Sequence, residues 1–418
     1  MNEKRPIMSR TLALVFLAVL AGDTGFYLLL SPVSLYTAGV AGSGAAGLAT
    51  GALMLATVAG ELATARLTAR FGYRLVLGAG LLLLGAPPLA LAFPAALPVI
   101  VAVCLVRGLG FAMTVVAGGA LVAELVPADR RGEGFGLFGV VVGVPSIVAL
   151  PAGVWLAAHL GYPPVFAAGA VLTLAGIAAV RGLPHGQARP SGEAAGLLRG
   201  MREPGLLRPA LMFAATALSA GAVITFLPLA LPRAGAGFAA LALLAQSVTA
   251  TAARWWAGRH GDRHGPAALL APGTVLAVAG LLTAAWTGSP VAVLAGMALF
   301  GTGFGIAQNA SLASMFGRAG GPAYGAVSAL WNLAYDAGFG AGAAGCGVLA
   351  ARLGYPAAFA LTAVVMVATL PLARGATGRR RARRPGPARH PGQAPHPPSA
   401  AAPVTAADAA VPAGAPAA

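Results

Sequence analysis

Four ionisable residues lie inside long apolar segments, where a charge is costly: Asp23, Glu61, Arg107 and Asp336. A charged side chain at the centre of a membrane helix costs about 2.5–3.5 kcal/mol on insertion scales, so it usually serves a function. Burial away from water favours the uncharged form of a carboxyl group, which can then bind and release a proton. We therefore predict that these four residues take part in proton coupling, with Arg107 or a substrate supplying the competing charge.

A purely structural role remains open for each of the four. Asp23 and Asp336 could be static partners of the backbone or of Asn332, which precedes Asp336 by one helical turn. Glu61 lies near the end of its apolar segment and could be hydrated, while Arg107 could simply hold an acid in place. The types and positions of these residues do not decide between the two interpretations.

Aromatic and neutral polar residues near Asp336 indicate a binding cavity. Trp331, Tyr335 and Phe339 are spaced i, i+4, i+8 and therefore share one helix face. A mostly apolar cavity with a few polar anchors suits an amphipathic small molecule, although ordinary helix packing would use the same face. The candidate cavity residues are Trp331, Asn332, Tyr335, Gln308, Asn309 and Gln246.

The composition places these residues in a membrane protein. Hydrophobic residues make up 58% of the chain and charged residues 9%, against about 25% charged in an ordinary soluble protein. The mean hydropathy is +0.81. The net charge of +16 does not indicate nucleic-acid binding, because the arginines lie in short segments between apolar runs and in the C-terminal tail. Cys104 and Cys346 both lie in apolar runs and offer no disulfide framework or metal-binding spacing.

Twelve apolar segments are long enough to form membrane-spanning helices, which need about 20 mostly apolar residues each. The sequence therefore predicts an all-α membrane protein with twelve transmembrane helices. The segments are 11–34, 44–67, 74–93, 97–122, 134–158, 163–181, 207–230, 238–257, 267–286, 290–316, 323–350 and 356–373.

An internal repeat divides these twelve segments into two halves. Leu160-Gly161-Tyr162-Pro163 recurs 193 positions later as Leu353-Gly354-Tyr355-Pro356, and two further matches have the same offset. We predict two parallel six-helix repeats, a layout that places a transporter's substrate site at their interface. The predicted parts are an N-terminal half 1–181, a cytoplasmic linker 182–206, a C-terminal half 207–374 and a disordered tail 375–418.

The arginines indicate the orientation of the chain. If the N-terminus is cytoplasmic, the inside loops hold most of the arginines, Arg254 among them, and the outside loops only Arg233 and Arg352, as the positive-inside rule requires. We therefore expect a multi-pass protein of the cytoplasmic membrane with both termini in the cytoplasm. The arginine cluster 379–384 follows the last helix, where anionic lipid of the inner leaflet would attract it.

The junction after the second segment, Ala65 to Arg74, reads ARLTARFGYR, and its repeat from Gly258 reads GRHGDRHG. Both resemble the signature loop of the major facilitator superfamily, Gly-x-Leu-Ala-Asp-Arg-x-Gly-Arg-Lys. The resemblance implies the twelve-helix transporter fold and a gating role for these junctions. The first copy departs from the pattern, because Ala69 stands where the family has an acid that helps to lock one gate. The implied gating residues are Arg66, Arg70, Gly72, Arg74, Gly258, Asp262, Arg263 and Gly265.

Pro151-Ala152-Gly153 is a weaker echo of the family's antiporter motif in helix 5. The favoured function is proton-coupled efflux of drug-like or metabolite compounds by a monomer without a cofactor. An importer or uniporter of the same fold is the alternative, and a membrane-embedded enzyme or receptor is a remote one. Enzymatic metal chemistry is disfavoured because all six histidines map to loops, helix ends or the tail. The sequence has no nucleotide-binding loop of the Gly-x4-Gly-Lys-Ser/Thr type, which disfavours ATP-driven transport.

The orientation can be tested by thiol labelling. We expect a cysteine at Gly42 to react with a membrane-impermeant reagent in intact cells and a cysteine at Gly392 to be protected, once Cys104 and Cys346 are replaced. Permeabilised cells provide the control, because both sites should then react. Labelling of Gly392→Cys in intact cells would refute the cytoplasmic placement of the C-terminus.

Overall fold

The computed structural model describes residues 8–126, 130–184, 199–231, 235–319 and 324–377. Most of the predicted linker and tail therefore lies outside the described residues. Within these ranges the chain forms twelve long α-helices and two short 3-10 helices, Pro87–Ala92 after α3 and Pro266–Leu269 before α9. The α-helices are α1 Arg10–Ala41, α2 Ser43–Phe71, α3 Tyr73–Gly85, α4 Leu97–Leu125, α5 Arg131–Leu160, α6 Tyr162–Arg181, α7 Pro204–Ala230, α8 Gly235–His264, α9 Leu270–Ala284, α10 Pro290–Phe316, α11 Tyr324–Leu353 and α12 Tyr355–Thr377.

Eleven of the helical segments in the described part of the chain are long and apolar enough to cross a membrane. The remaining helix, α11, has 30 residues, and at 1.5 Å per residue it spans about 45 Å. It is less apolar because it carries Asn332, Asp336 and several glycines. Two of these, Gly338 and Gly342, lie directly against backbone carbonyls of α7 and not against lipid. The predicted all-α fold is thus confirmed, and α11 owes its weaker hydropathy to its packing.

The repeat is visible in the turns between helices. Six glycines have a left-handed backbone with φ between 79° and 90°, which only glycine adopts without strain. They form three pairs, and the two members of each pair are 193 positions apart. The pairs are Gly42 with Gly235, Gly72 with Gly265, and Gly161 with Gly354.

Helix crossings repeat in the same way. A side chain at Gly108 in α4 would collide with the Leu53 carbonyl of α2, and one at Gly301 in α10 would collide with the Gln246 carbonyl of α8. Both residues of the second contact lie 193 positions after the corresponding residues of the first. Glycine permits this close backbone approach, which is how helices pack in lipid. The two halves therefore share one internal framework, as the sequence repeat predicts.

Contacts between the halves lie around a pseudo-two-fold axis. The helices α2 and α5 of the first half pack against α11 and α8 of the second. The hydroxyl of Ser31 donates a hydrogen bond to the carbonyl of Ile224 at 3.0 Å, 193 positions away. A residue that touches its own repeat equivalent lies on the axis that relates the halves. Beside it, Thr225 donates to Thr50 at 3.4 Å.

The two junctions that resemble the family's signature loop are too short to form loops. Arg66 and Arg70 belong to the last turns of α2, and only Gly72 stands between that helix and α3. The repeat copy is also mostly helical, since Asp262 lies inside α8. The predicted gating residues therefore sit on rigid helix ends, where a movement of the helix moves them directly.

Two glycines of α11 provide a matched test of the packing. We expect Gly342→Ala to destabilise the protein by about 1–3 kcal/mol, because its methyl group would enter the Leu218 carbonyl of α7. Gly345→Ala should be neutral or stabilising by up to about 1 kcal/mol, since nothing lies within 4 Å of its added carbon and alanine favours helix. Thermal unfolding of the detergent-purified variants measures both effects. Equal melting temperatures for the two variants would contradict the packing.

Candidate functional site

A cavity of about 200 Å³ lies between the two halves. Its walls come from α1, α4 and α5 of the first half and from α7, α8, α10 and α11 of the second. Seven of the residues singled out from the sequence line it. They are Asp23, Gln246, Gln308, Trp331, Asn332, Tyr335 and Asp336.

Asp23 is the most exceptional group in this cavity. It lies in the middle of α1, its side chain is 1% exposed, and both carboxyl oxygens lack a hydrogen-bond partner among the described residues. A buried polar group without a partner is destabilising, and a charged one more so. The arrangement leaves an acceptor free for a ligand, which can be a proton or a positively charged group.

Asp336 and Glu61 form a second acidic feature. Asp336, on α11, is 5% exposed and lines the cavity. Glu61, on α2, is half-buried and does not line the cavity, but its carboxyl group lies within side-chain hydrogen-bonding reach of Asp336. The two acids belong to different halves of the chain. Asn332 lines the cavity one turn away, so the partner of Asp336 is a second acid that the sequence did not indicate.

Arg107 does not meet the acids. It is 1% exposed, and its Nε and Nη2 atoms have no hydrogen-bond partner among the described residues. Phe26 of α1 and Phe111 of α4 stack with 3.7 Å between ring centroids. Because α1 and α4 run antiparallel, Asp23 lies on one side of this stack and Arg107 on the other. The ring pair therefore separates two buried ionisable groups, an acid and a base.

Arg254 is the cation that reaches the cavity. The sequence interpretation assigned it to a cytoplasmic loop, but it lies inside α8 and lines the cavity. Its Nη1 donates a long hydrogen bond of 3.4 Å to the side-chain oxygen of Gln308, and it lies within electrostatic reach of Tyr27 and Tyr335. The repeat contained a signal for it, because Arg254 occupies the position equivalent to Glu61.

An aromatic wall covers one side of the cavity. Trp331 and Tyr335 line it, with Phe213 of α7 stacked 4.7 Å from the Trp331 ring. The indole nitrogen of Trp331 donates to Ser311 at 3.0 Å. Phe339, on the same helix face, is buried in the core at 1% exposure. The face thus combines the two roles considered from its spacing, cavity lining toward its N-terminal end and packing toward its C-terminal end.

Asn309 does not line the cavity. It faces Gly258 of α8, whose added carbon would lie 3.5 Å from the Asn309 amide nitrogen. Gly258 is one of the predicted gating residues. The others also lie away from the cavity, at the helix junctions. Tyr27, by contrast, lines the cavity although nothing in the sequence singled it out.

Comparison with known proteins identifies the architecture. The model of the Major Facilitator Superfamily matches residues 7–343. No curated protein matches the sequence significantly. Three similar solved structures are all transporters, and at such low identity they show a shared fold.

A bacterial homologue of the human lysosomal transporter Spinster, in an inward-facing and unoccupied conformation, has a TM-score of 0.69 at 15% identity, covering 89% of this chain and 96% of its own. A mutant of the nucleoside transporter NupG has a TM-score of 0.70 at 13% identity, covering 88% and 100%. A mutant of the peptide transporter POT, in complex with alafosfalin, has a TM-score of 0.67 at 15% identity, covering 87% and 94%.

The unpartnered state of Asp23 leads to a stability prediction. We expect Asp23→Asn to raise the melting temperature of the ligand-free protein, because the amide removes a buried group that can carry an unpaired charge. The gain should be larger at alkaline pH, where the cost of keeping the native carboxyl group uncharged is greater. Glu124→Gln, which neutralises an exposed acid on α4, is the control and should change little. A lower melting temperature for Asp23→Asn would mean that Asp23 has a stabilising partner.

Proposed function

The chain belongs to the major facilitator superfamily, and from this premise we propose that it exports a small molecule across the cytoplasmic membrane in exchange for protons. It is a transporter rather than an enzyme, as its family and its structural neighbours indicate. The observation that carries the proposal is the cavity between the halves with an unpartnered, buried acid, Asp23, on its wall.

The cavity suits alternating access. Transporters built from two parallel repeats bind their substrate at the repeat interface and rock the halves around it. Here the cavity is bounded by both halves, and most of the contacts between them are formed by two helix pairs, α2 with α11 and α5 with α8. Opening one end and closing the other would expose the same polar groups to each side of the membrane in turn.

Proton coupling needs a site that a proton and a substrate use in turn. Asp23 offers a free acceptor, and Asp336 lies on the opposite half of the same cavity. A cationic or hydrogen-bond-donating substrate would compete with a proton for these carboxyl groups, since both neutralise a buried negative charge. Arg254, in contact with Gln308, would orient an acceptor group of the substrate. The rings of Trp331 and Tyr335 would hold its apolar part.

The packing of α5 fits an exchange mechanism. Gly153, from the antiporter-like segment, lies directly against the Leu28 carbonyl of α1. A side chain at this position would push the two helices apart beside the cavity. Tight closure here would oppose passage of unaccompanied protons, which obligatory exchange requires.

The membrane setting follows from the charge pattern. We propose that the protein works as a monomer in the cytoplasmic membrane, with both termini inside, because one chain encloses the whole cavity. At the inner end of α8, Trp255 and Trp256 are exposed, and the guanidinium of Arg259 lies 3.6 Å from the Trp255 ring centroid. Tryptophan and arginine of this kind anchor helices at a lipid headgroup region.

The helix junctions would act as gates with unequal strength. The second junction keeps its acid, Asp262, whereas the first has Ala69. A charge-assisted hydrogen bond accepted by such an acid can bias a conformational equilibrium about tenfold. We therefore propose that the gate closed by the second junction is the more stable one.

Transport in proteoliposomes tests the coupling. We expect Asp23→Asn and Asp336→Asn to reduce transport driven by a pH gradient at least about tenfold, because an amide keeps the size of the acid but does not titrate. The substrate is first identified by a susceptibility screen in an exporter-deficient host, and Glu124→Gln is the control with normal transport. Full gradient-driven transport by both amide variants would exclude the two acids as the coupling site.

A further inference from the structure

Two histidines lie on one face at the end of α8, outside the cavity. His260 and His264 are spaced i, i+4 in this helix, so their side chains project from the same side. His264 is exposed and His260 is half-buried, and neither lines the cavity. This position argues against a catalytic role but not against metal binding. The proposed transport cycle makes no use of either residue.

The two imidazole rings are already close together. Their centroids lie 4.2 Å apart and their planes differ by 23°. On the other side of His260 the ring of Trp256 is stacked, with 4.9 Å between centroids and 20° between planes. Trp256, His260 and His264 thus form one column of rings along the helix. Stacking occupies the faces of the His260 ring, whereas a metal ion binds at the ring edge, where the nitrogen atoms are.

A backbone contact selects the form of His264 that binds metals. Its Nδ1 lies 3.3 Å from the carbonyl oxygen of His260, and because a carbonyl only accepts hydrogen bonds, Nδ1 is the donor. In the neutral imidazole the other nitrogen, Nε2, then carries a lone pair. Histidines that ligate metals usually donate their second nitrogen to a carbonyl or a carboxylate in this way. His264 is therefore oriented as a ligand through Nε2.

The spacing of the two residues suits one shared ion. Two histidines at i, i+4 on one helix hold Zn²⁺ in the metalloprotease motif His-Glu-x-x-His. Nitrogen atoms bound to one ion at about 2.0–2.1 Å each lie about 3 Å apart. Rotation about the second side-chain torsion, which is broad in histidine, can bring nitrogen atoms of the two rings to this separation. The helix backbone does not have to change.

The surroundings define the class of ion. Imidazole nitrogen suits Zn²⁺, Cu²⁺ and Ni²⁺, whereas Mg²⁺ and Ca²⁺ need several oxygen ligands. Among the described residues no three His, Cys, Asp or Glu side chains are placed to share an ion, so water would fill the other coordination positions. The guanidinium of Arg259 lies over the Trp255 ring, 3.6 Å from its centroid. Arg263 is exposed, and solvent screens its repulsion of a cation.

We propose that His260 and His264 form a binding site for one divalent transition-metal ion, Zn²⁺, Cu²⁺ or Ni²⁺, at the end of α8. The inference is independent of the proposed export of a small molecule. Asp262 lies between the two ligands, and α8 ends at His264, before the left-handed Gly265. An ion that joins the two side chains holds the last turn of the helix together. It thereby fixes the turn that carries the acid of the second junction.

Zn²⁺ titration of the purified full-length protein tests the site. The protein carries an affinity tag without histidine, is freed of metal with a chelator, and is titrated in detergent by calorimetry. Phenylalanine keeps a stacking ring but has no nitrogen, so His260→Phe and His264→Phe should each lower the Zn²⁺ affinity about tenfold or more. His264→Gln, which adds no apolar surface at this exposed position, should show the same loss. Zn²⁺ should raise the melting temperature of the unsubstituted site more than that of any of these variants.

Histidines elsewhere in the chain are removed from the measurement. All proteins in the comparison carry the substitutions His185→Gln, His390→Gln and His396→Gln, because these three residues lie outside the described part of the chain. Mg²⁺ in place of Zn²⁺ should give no binding heat, since the site offers it no oxygen ligands.

His159 provides the matched control. It lies at the end of α5, its Nδ1 is 2.7 Å from the carbonyl oxygen of Trp155, and its ring is stacked 4.2 Å from the Trp155 ring. It repeats the local surroundings of a ligand, but no histidine stands four positions before or after it. His159→Phe should therefore leave the Zn²⁺ affinity unchanged. The proposal is overturned if the unsubstituted site binds Zn²⁺ no more tightly than the His260 and His264 variants, or if His159→Phe weakens binding as much as they do.

Discussion

Close approach of helix backbones at glycine is the contact on which the rest of this structure depends. Lipid provides no hydrophobic force between helices, so they associate through packing and hydrogen bonds. Gly108 against α2 and Gly301 against α8 fix equivalent crossings in the two halves. The second crossing sets the distance between α8 and α10, which carry Gln246, Arg254 and Gln308 into the cavity. The cavity is therefore a consequence of where the helices can approach and where larger side chains keep them apart.

The charged residues break the symmetry of this framework. Glu61 is equivalent to Arg254, and Asp336 is equivalent to Gly143. Asp23 corresponds to Thr216, whose hydroxyl donates to a carbonyl of its own helix at 3.0 Å. A duplicated scaffold needs the same small residues in both halves in order to fold, but it does not need the same charges. A single substrate pathway needs different groups on its two sides, so function is concentrated where the halves differ.

The sequence predicted the parts that follow from local rules. Apolar length located all twelve helices, and the offset of 193 identified the halves and their turns. It did not predict which buried charges meet. Helical spacing shows which residues share one face of a helix, but not which residue of a neighbouring helix lies opposite them. Arg107 was expected to compete with the acids, yet a ring stack lies between it and Asp23. Glu61 was considered separately from Asp336 for the same reason. Arg254 was counted among the loop arginines because it lies near the end of its apolar segment, 238–257.

A seam with small residues at its contacts suits two halves that have to move apart. Large interlocking side chains would resist separation, because every part of a packed interface would have to repack at once. Glycine and alanine present an almost flat surface, with contacts such as Gly51 to Ala344 that part without repacking. The directional contacts between the halves then include the Ser31–Ile224 and Thr225–Thr50 hydrogen bonds.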